Sequence, residues 1–513
     1  MRLFTGVIAI LFLGLTLLPV GAMVWQTFAS GTIASHFDEL FLSAQAWKLL
    51  RHTILLATLV TLLTTLVGVP LGILMGKTDL PLRPLFVFLF LVPLLLPPYI
   101  VAVAWNDLLI MAGFGSGTLS GLGGSLFVLF CVYLSVPTLM TILFLRTVPP
   151  SLEEAGRLCA PWPSVLRYVT LPMILPGILL SAMIVFLLSL GELSVPIYLH
   201  YEVYAVESFT QFTAFYRFDT ATATALPLIL VALVMTMAEN RFLKKRTATF
   251  RHFAGSDTFL RISLGFKRYP LFLAAAFLAS VVTILPMTAL ALEAGDFHHL
   301  AEAFLASHDA LLRSLLYAAA GATLLTFFGF LLGYTLLKRP FRCAGALDPV
   351  AIFLFTLPGT VVAIAMIFFW NRPFAQIVYA TPLIVLLGYL AKYSALTGRI
   401  SLARLSMIPA SMEEAAQMAG ADWSQRLRHI LLPLTADAIA GAWVVAYLFI
   451  LRDVDLTILL YPPGEDTLPV RIFTMMANGS PELVASLCLI MATVTLLPAA
   501  AAWGVFVRKR RRK

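Results

Sequence analysis

Charged residues are scarce in this sequence: Asp, Glu, Lys and Arg together make up 12% of its 513 residues, whereas hydrophobic residues make up 60%. Soluble globular chains carry about 25% charged residues. This deficit excludes a soluble protein, because too few polar side chains are present to cover a water-exposed surface. The sequence therefore indicates an integral membrane protein.

Cysteine is also scarce, and its four positions form no C-x-x-C pair. They are Cys131, Cys159, Cys343 and Cys488. Metal clusters and disulfide frameworks need cysteines at characteristic close spacings. We therefore predict no metal site and interpret the cysteines as small packing residues.

Catalytic motifs are absent as well, since neither HExxH nor GxSxG occurs. The tripeptide Gly76-Lys77-Thr78 resembles the end of a phosphate-binding loop, but the first glycine of that loop would stand at position 71, which is Leu71. The chain therefore carries no ATPase site and no catalytic cluster of a membrane enzyme. Energy for active transport would come from a partner or from an ion gradient.

Long apolar runs dominate what is present. A helix needs about 20 largely apolar residues to cross a bilayer, and the sequence contains twelve such runs, six in each half. They are Phe4–Phe28, Thr53–Met75, Leu85–Met111, Leu126–Leu145, Leu171–Leu190, Ala223–Met237, Leu271–Leu292, Leu312–Leu337, Val350–Trp370, Ile377–Leu396, Leu432–Leu451 and Leu483–Val507. We predict an all-α polytopic membrane protein with about twelve transmembrane helices.

The distribution of charge orients these spans. The basic stretches fall on one side of the predicted membrane and the acidic loops on the other. Basic loops stay in the cytoplasm, so both termini are predicted to be cytoplasmic. We interpret the tail Arg508–Lys513 as an orientation signal rather than a nucleic-acid patch. The first apolar run lacks a small-x-small cleavage site and is interpreted as a span rather than a secretory signal.

The two halves repeat each other at a constant offset of 261 residues. Matching pairs are Gly68 and Gly329, Gly72 and Gly333, Leu96-Pro97 and Leu357-Pro358, and Leu171-Pro172 and Leu432-Pro433. A constant offset indicates duplication of one unit. Six spans per unit give two parallel halves about a pseudo-two-fold axis along the membrane normal. We predict a first repeat at 1–240, a basic linker at 241–268 and a second repeat at 269–513.

Two short polar segments interrupt the apolar pattern, one in each half. They read SLEEAGRLCAPWPSVLRYVTLPM from Ser151 and SMEEAAQMAGADWSQRLRHILLPL from Ser411. The S-x-x-E spacing predicts a capping box from Ser151 to Glu154 and from Ser411 to Glu414. Such short helices are unstable alone, so each must pack on its own membrane domain or on a partner.

These segments, at 151–173 and 411–434, resemble the EAA loops of ATP-binding-cassette importer permeases, in which a cytoplasmic helix docks on an ATPase subunit. The resemblance implies docking roles for Glu153, Glu154, Ala155, Leu158, Glu413, Glu414, Ala415, Met418 and Gly420. The family pattern has a glycine about six residues after its glutamate. Gly420 supplies that glycine in the second half. The first half has Cys159-Ala160-Pro161 instead, so we expect unequal docking helices and a turn made by proline.

A second matched pair of segments follows the fifth and eleventh spans. GELSVPIYL aligns with RDVDLTILL, which pairs Glu192 with Asp453 and Ser194 with Asp455. Ionisable groups at membrane depth are costly and indicate function, so these residues, with Asp107 as a weaker case, are candidates for a substrate pathway. Solvation at the outer membrane edge is an equal alternative. Pro97 and Pro358 are expected to kink the third and ninth spans.

The fused layout and the stretch Arg452–Val470 are similar to ferric-iron importer permeases. This resemblance implies a bacterial cytoplasmic-membrane permease for ferric iron, with no cofactor of its own and no nucleic-acid partner. Its implied partners are two ATPase subunits that bind ATP and a periplasmic or surface-tethered solute-binding protein. The alternatives are a permease for thiamine, phosphonate, polyamine or sulfate, or a twelve-span secondary transporter, which would lack matched docking helices.

Overall fold

The computed structural model describes residues 2–29, 43–115, 117–215, 218–239, 241, 260–339 and 341–511. Throughout these ranges the regular structure is helical, apart from one parallel β-bridge between Thr78 and Ile262. The predicted all-α class is confirmed. Most of the predicted linker, residues 242–259, lies outside the described residues.

The described chain contains twenty-one helices, besides the short 3₁₀ segments Arg342–Ala346 and Pro373–Ala375. In the first half they are α1 Arg2–Ala29, α2 Ala44–Lys77, α3 Arg83–Leu95, α4 Pro98–Met111, α5 Leu122–Leu145, α6 Pro150–Cys159, α7 Trp162–Leu190, α8 Ser194–Tyr198, α9 Tyr204–Thr213 and α10 Phe218–Ala238. In the second half they are α11 Gly265–Glu293, α12 Phe297–Lys338, α13 Leu347–Thr356, α14 Gly359–Trp370, α15 Gln376–Tyr379, α16 Leu383–Leu405, α17 Ala410–Met418, α18 Trp423–Leu451, α19 Thr457–Leu460, α20 Leu468–Met475 and α21 Pro481–Arg511.

Ten helices in the described ranges are long and apolar enough to cross a membrane, and two bent pairs raise the number to twelve. The bend between α3 and α4 is 102°. The bend between the segment Ala344–Thr356, which contains α13, and α14 is 107°. Both bends fall where predicted, at Leu96-Pro97 and Leu357-Pro358. The leucine before each proline is extended, with ψ of 152° and 141°, because a following proline ring disfavours the helical conformation.

Two long helices begin well before their predicted spans. α2 begins at Ala44, nine residues before Thr53, and α12 begins at Phe297, 15 residues before Leu312. The apolar runs cover only the C-terminal parts of these helices. The added turns carry polar groups such as Lys48 and Glu302, which hydropathy alone does not assign to a span.

Pro172 and Pro433 lie in the first turn of the α-helices Leu171–Leu190 and Leu432–Leu451, which begin where the spans were predicted to begin. These α-helices continue longer helical segments that start at Trp162 and Trp423. A π-helical turn stands directly before each Leu-Pro pair, at Leu166–Thr170 and Leu427–Leu431. A proline inside an α-helix clashes with the carbonyl four residues earlier, and the wider π turn relieves this clash.

Matching glycines allow close helix crossings in both halves. A Cβ at Gly68 would lie 2.7 Å from Pro137 Cγ of α5, and one at Gly72 would lie 2.6 Å from Thr141 Cβ. In the second half, a Cβ at Gly333 would lie 2.8 Å from the Leu402 nitrogen of α16. Small residues let helix backbones approach in membranes, so the repeated glycines preserve the same crossing twice.

The two halves interlock in the main core. Val20 of α1 and Ala225 of α10, from the first half, belong to the same buried cluster as Ile364 of α14 and Tyr389 of α16, from the second. The first and last spans of the first repeat therefore pack against the second repeat. This packing holds the two bends close to the junction of the halves.

We expect Gly72→Leu to destabilise the folded protein by about 1–3 kcal/mol, because the added side chain must push α2 away from α5. The matched control is Gly441→Leu, since a Cβ at Gly441 of α18 has no neighbour within 4 Å. The measurement is the thermal midpoint of the detergent-solubilised protein. An equal loss in both variants would contradict close helix contact at Gly72.

Candidate functional site

The helices of the EAA-like segments, α6 and α17, begin two residues earlier than the capping-box prediction requires. Their N-cap residues are Pro149 and Pro409, and neither helix has a side-chain cap. Ser151 and Ser411 therefore lie inside the first turn, and the predicted capping boxes are wrong. The prolines explain the difference, since both hold the extended conformation from which the helix starts.

One face of each helix is unoccupied by the rest of the protein. On α6 this exposed set is Glu154, Ala155 and Leu158, and on α17 it is Glu414, Ala415 and Met418. Leu158 is 89% exposed and Met418 90%. Exposed apolar side chains at matching positions in both halves indicate a surface for a partner.

The neighbouring glutamates point the opposite way. Glu153 is 1% exposed, and Lys77 at the end of α2 donates a hydrogen bond to its carboxylate. Glu413 is 8% exposed, and its Oε1 lies 2.6 Å from Lys338 Nζ at the end of α12. Successive helical residues are rotated by about 100°, so each Glu-Glu pair sends one carboxylate inward and one outward.

The two helices end differently, as expected. Gly420 has a φ of +86°, and the hydrogen bonds from Ala421 N to Ala416 O and from Gly420 N to Gln417 O, both 3.0 Å, complete a Schellman motif. In the first half, Ala160 is extended at φ −150° and is followed by Pro161. The chain therefore enters α7 through an extended residue followed by proline, and enters α18 through a left-handed glycine turn.

A capping box does occur in the second segment, but at a position that sequence reasoning missed. The Asp422 carboxylate accepts from Gln425 N at 2.6 Å, and Gln425 Oε1 accepts from Asp422 N at 2.9 Å. The D-x-x-Q spacing would have indicated it. This box fixes the start of α18 immediately after the Gly420 turn.

Four of the five predicted pathway residues line one cavity at the junction of the halves. Glu192, Ser194, Asp453 and Asp455 surround a space of about 60 Å³ beside the two bends. Glu192 is 5% exposed and Asp453 6%, so neither is solvated at the outer membrane edge. The fifth, Asp107, is a buried residue of α4 away from this cavity.

Each matched carboxylate is held by a tyrosine of its own half. Glu192 accepts from Tyr133 Oη at 2.9 Å and from Ser194 Oγ at 2.5 Å. Asp453 accepts from the Tyr393 hydroxyl, and Lys392 Nζ lies 3.6 Å away. The two tyrosines are separated by 260 residues, so the carboxylate–tyrosine pair is itself duplicated.

Two cationic side chains share this cavity, and sequence reasoning missed both as site residues. Lys392 lies in α16, and Arg452, at the end of α18, donates to the Leu94 carbonyl of α3 in the first half. The first-half positions are uncharged, with Gly191 matching Arg452 under the 261 offset. A lone lysine in the apolar run of α16 was the available signal. The cavity is thus mixed in charge, with both cations supplied by the second half.

The described ranges contain no group of three or more His, Cys, Asp or Glu side chains able to hold a metal ion. A partly polar cavity of this size admits a few water molecules.

Comparison with known sequences decides the family. Residues 68–247 and 325–513 match the family described as the binding-protein-dependent transport system inner membrane component. The chain belongs to this family. One matched segment lies in each half, in agreement with the duplication. This permease is therefore a multi-pass inner-membrane transport subunit rather than an enzyme, and its class works with ATPase and binding-protein partners.

Three relatives differ in how much of the permease they match. The Fe(3+)-transport system permease protein FbpB 2 of Haemophilus influenzae is 22% identical over 85% of both chains. The spermidine/putrescine transport system permease protein PotC of Escherichia coli is 28% identical over 38% of this chain and 75% of PotC. PhnV of Salmonella typhimurium, named for 2-aminoethylphosphonate transport, is 33% identical over 22% of this chain and 43% of PhnV.

We expect Gly420→Val to impair assembly with the ATPase more than Ala160→Val does. A β-branched residue resists the left-handed conformation of Gly420, at a cost of about 1–2 kcal/mol, whereas the extended Ala160 accepts valine. Space is not the limit, since a Cβ at Gly420 meets nothing within 4 Å. ATPase co-purification measures the effect, and equal losses would argue against a special turn at Gly420.

Proposed function

We propose that this chain forms the complete translocation path of a binding-protein-dependent importer for a small cation, most specifically ferric iron. The observation that carries the proposal is the buried cavity at the junction of two duplicated halves, lined by Glu192 and Asp453 from matching positions. The repeats are 1–240 and 269–513, joined by the linker 241–268. Both termini face the cytoplasm in this proposal.

Two ATPase subunits dock on the exposed faces of α6 and α17 in this proposal. The matched apolar ends Leu158 and Met418 supply the contact, and Glu154 and Glu414 supply charge beside it. Gly420 sets the exit from the second docking helix. ATP is bound by those partners, and a periplasmic or surface-tethered binding protein delivers the substrate on the opposite side.

Charge supports a cationic substrate. Three carboxylic side chains, Glu192, Asp453 and Asp455, line the cavity together with two cations, and carboxylic oxygens can replace part of the hydration shell of a hard cation. Carboxylate and phenol oxygens are hard ligands that suit a hard cation better than thiolate or imidazole would.

Ferric iron is favoured over a polyamine by the extent of the similarity. The ferric relative matches 85% of both chains, including the fused layout, whereas the polyamine relative matches 38% of this chain. A polyamine permease remains the second candidate, since its substrate is also cationic.

The docking surfaces can be tested with Leu158→Asp combined with Met418→Asp. Each variant places a carboxylate at an exposed apolar contact, so ATPase co-purification should fall by about tenfold or more, as expected for interface hot spots. The control is Met407→Asp, an exposed methionine between α16 and α17. Wild-type ATPase stoichiometry in the double variant would contradict docking at these faces.

The path can be tested with Glu192→Gln combined with Asp453→Asn in proteoliposomes supplied with the ATPase and a loaded binding protein. Neutralisation should lower ferric-iron uptake about tenfold or more, because two charges lining the path are lost, and leave basal ATP hydrolysis unchanged. Glu302→Gln, an exposed acid on the outer side, is the control. Unchanged uptake, or an equal loss in the control, would remove both residues from the path. Spermidine uptake that exceeds iron uptake in the wild type would favour the second candidate.

A further inference from the structure

The inward-facing glutamates are Glu153 of α6 and Glu413 of α17. Few other side chains attach these two helices to the membrane domain. Every residue of α6 and α17 is described, and Glu153 is the only buried residue of α6. Glu413 is likewise the only buried residue of α17. The side chain that anchors each docking helix is therefore a carboxylate.

Each glutamate meets the end of a long span. Lys77 is the last residue of α2, which has 34 residues, and Lys338 is the last residue of α12, which has 42. The lysines are separated by 261 residues and the glutamates by 260. Both halves therefore keep the same contact, a lysine at the end of a long span paired with a glutamate in the first turn of a docking helix.

Helix electrostatics explain why this polarity suits the contact. A cation is favoured at a helix C-terminus and an anion in a first helical turn. Lys77 and Lys338 occupy the former position, and Glu153 and Glu413 the latter. Each charge is therefore stabilised by its own helix as well as by its partner, which offsets part of the cost of burial.

We propose that the pairs Lys77–Glu153 and Lys338–Glu413 are coupling joints, which pass displacement of a docking helix to α2 and α12. The proposal rests on the proposed function, because it assumes an ATPase that moves α6 and α17. In it, Glu153 and Glu413 are positioning residues rather than the docking residues that the resemblance implies, because both are buried. They act on transport through the two spans, while the neighbouring exposed residues bind the ATPase.

The joint of the first half is the tighter of the two. Thr170 Oγ1 also donates to Glu153, at 2.7 Å, and both side chains of the pair are nearly buried, with Lys77 4% exposed and Glu153 2%. In the second half, the side chain of Lys338 is 26% exposed and that of Glu413 is 11% exposed.

The end of the linker adds a further restraint in the first half. Ile262 N donates to Lys77 O at 2.8 Å, and Asp79 N donates to Ile262 O at 3.2 Å. The segment that starts the second repeat is thereby attached to the residue that holds the first docking helix.

The test separates attachment from coupling in the second half, where the pair is more accessible. Glu413→Gln removes the charge but keeps the shape, and Lys338→Met combined with Glu413→Met removes both charges without leaving one unpaired. We expect both variants to retain ATPase co-purification and ATP hydrolysis. Substrate transported per ATP hydrolysed should fall about tenfold, within the range by which coupling residues act.

The control is Lys48→Met combined with Glu202→Gln, which removes an exposed ion pair of 2.5 Å on the opposite side. It should leave transport per ATP unchanged. Glu413→Asp, which keeps the charge on a shorter side chain, should restore part of the coupling.

Two results would contradict the proposed coupling role of the Lys338–Glu413 pair. Unchanged transport per ATP in the double methionine variant would make the pair a simple attachment. Loss of ATPase binding in Glu413→Gln, in step with transport, would make Glu413 part of the docking surface. Failure of the wild-type chain to bind an ATPase at all would instead refute the proposed function, so that measurement comes first.

Discussion

The cost of leaving a charge unpaired in a low-dielectric interior governs where this chain places its few ionisable groups. Several paired charges lie at junctions between helices. Lys77 and Lys338 join long helices to α6 and α17, and Arg452 joins the second half to the carbonyl at Leu94 of the first. Arg399 of α16 binds Glu239 of the first half at 2.8 Å and Asp348 at 3.2 Å. Apolar packing builds each bundle, and paired charges specify how the bundles meet.

Much of this architecture follows from patterns that are local or exactly repeated. The apolar runs and the 261-residue offset predict the spans and the duplication, and Pro97 and Pro358 predict the bends, because proline acts on its own backbone. Adjacent glutamates such as Glu153 and Glu154 are chemically identical in the sequence, and only the lysine at the end of a distant span decides which faces inward. The π turns before Pro172 and Pro433 and the cations at the cavity depend on three-dimensional context in the same way.

Fusion of the halves permits an asymmetry that a symmetric pair of identical subunits could not have. In a homodimer, Arg452 and Lys392 would each appear twice around the axis, and four cations would crowd one small cavity. In the fused chain, the position that matches Arg452 is Gly191. A Cβ added at Gly191 would lie 3.1 Å from Pro358 Cα. The first half can therefore place a glycine at this position while the second half places an arginine. This difference is possible because the two halves are parts of one chain and always pair with each other.

The length of α12 has a mechanical consequence. Its 42 residues contain no proline, so at 1.5 Å per residue it is a stiff rod of about 63 Å, about twice the thickness of the hydrocarbon layer. One end contacts Glu413, and towards the other Arg313 holds Asp466 at 2.9 Å. A tilt of about 5° about one end displaces the other by about 5 Å. A small change in the angle of such a rod therefore becomes a displacement of about one helical turn at its far end.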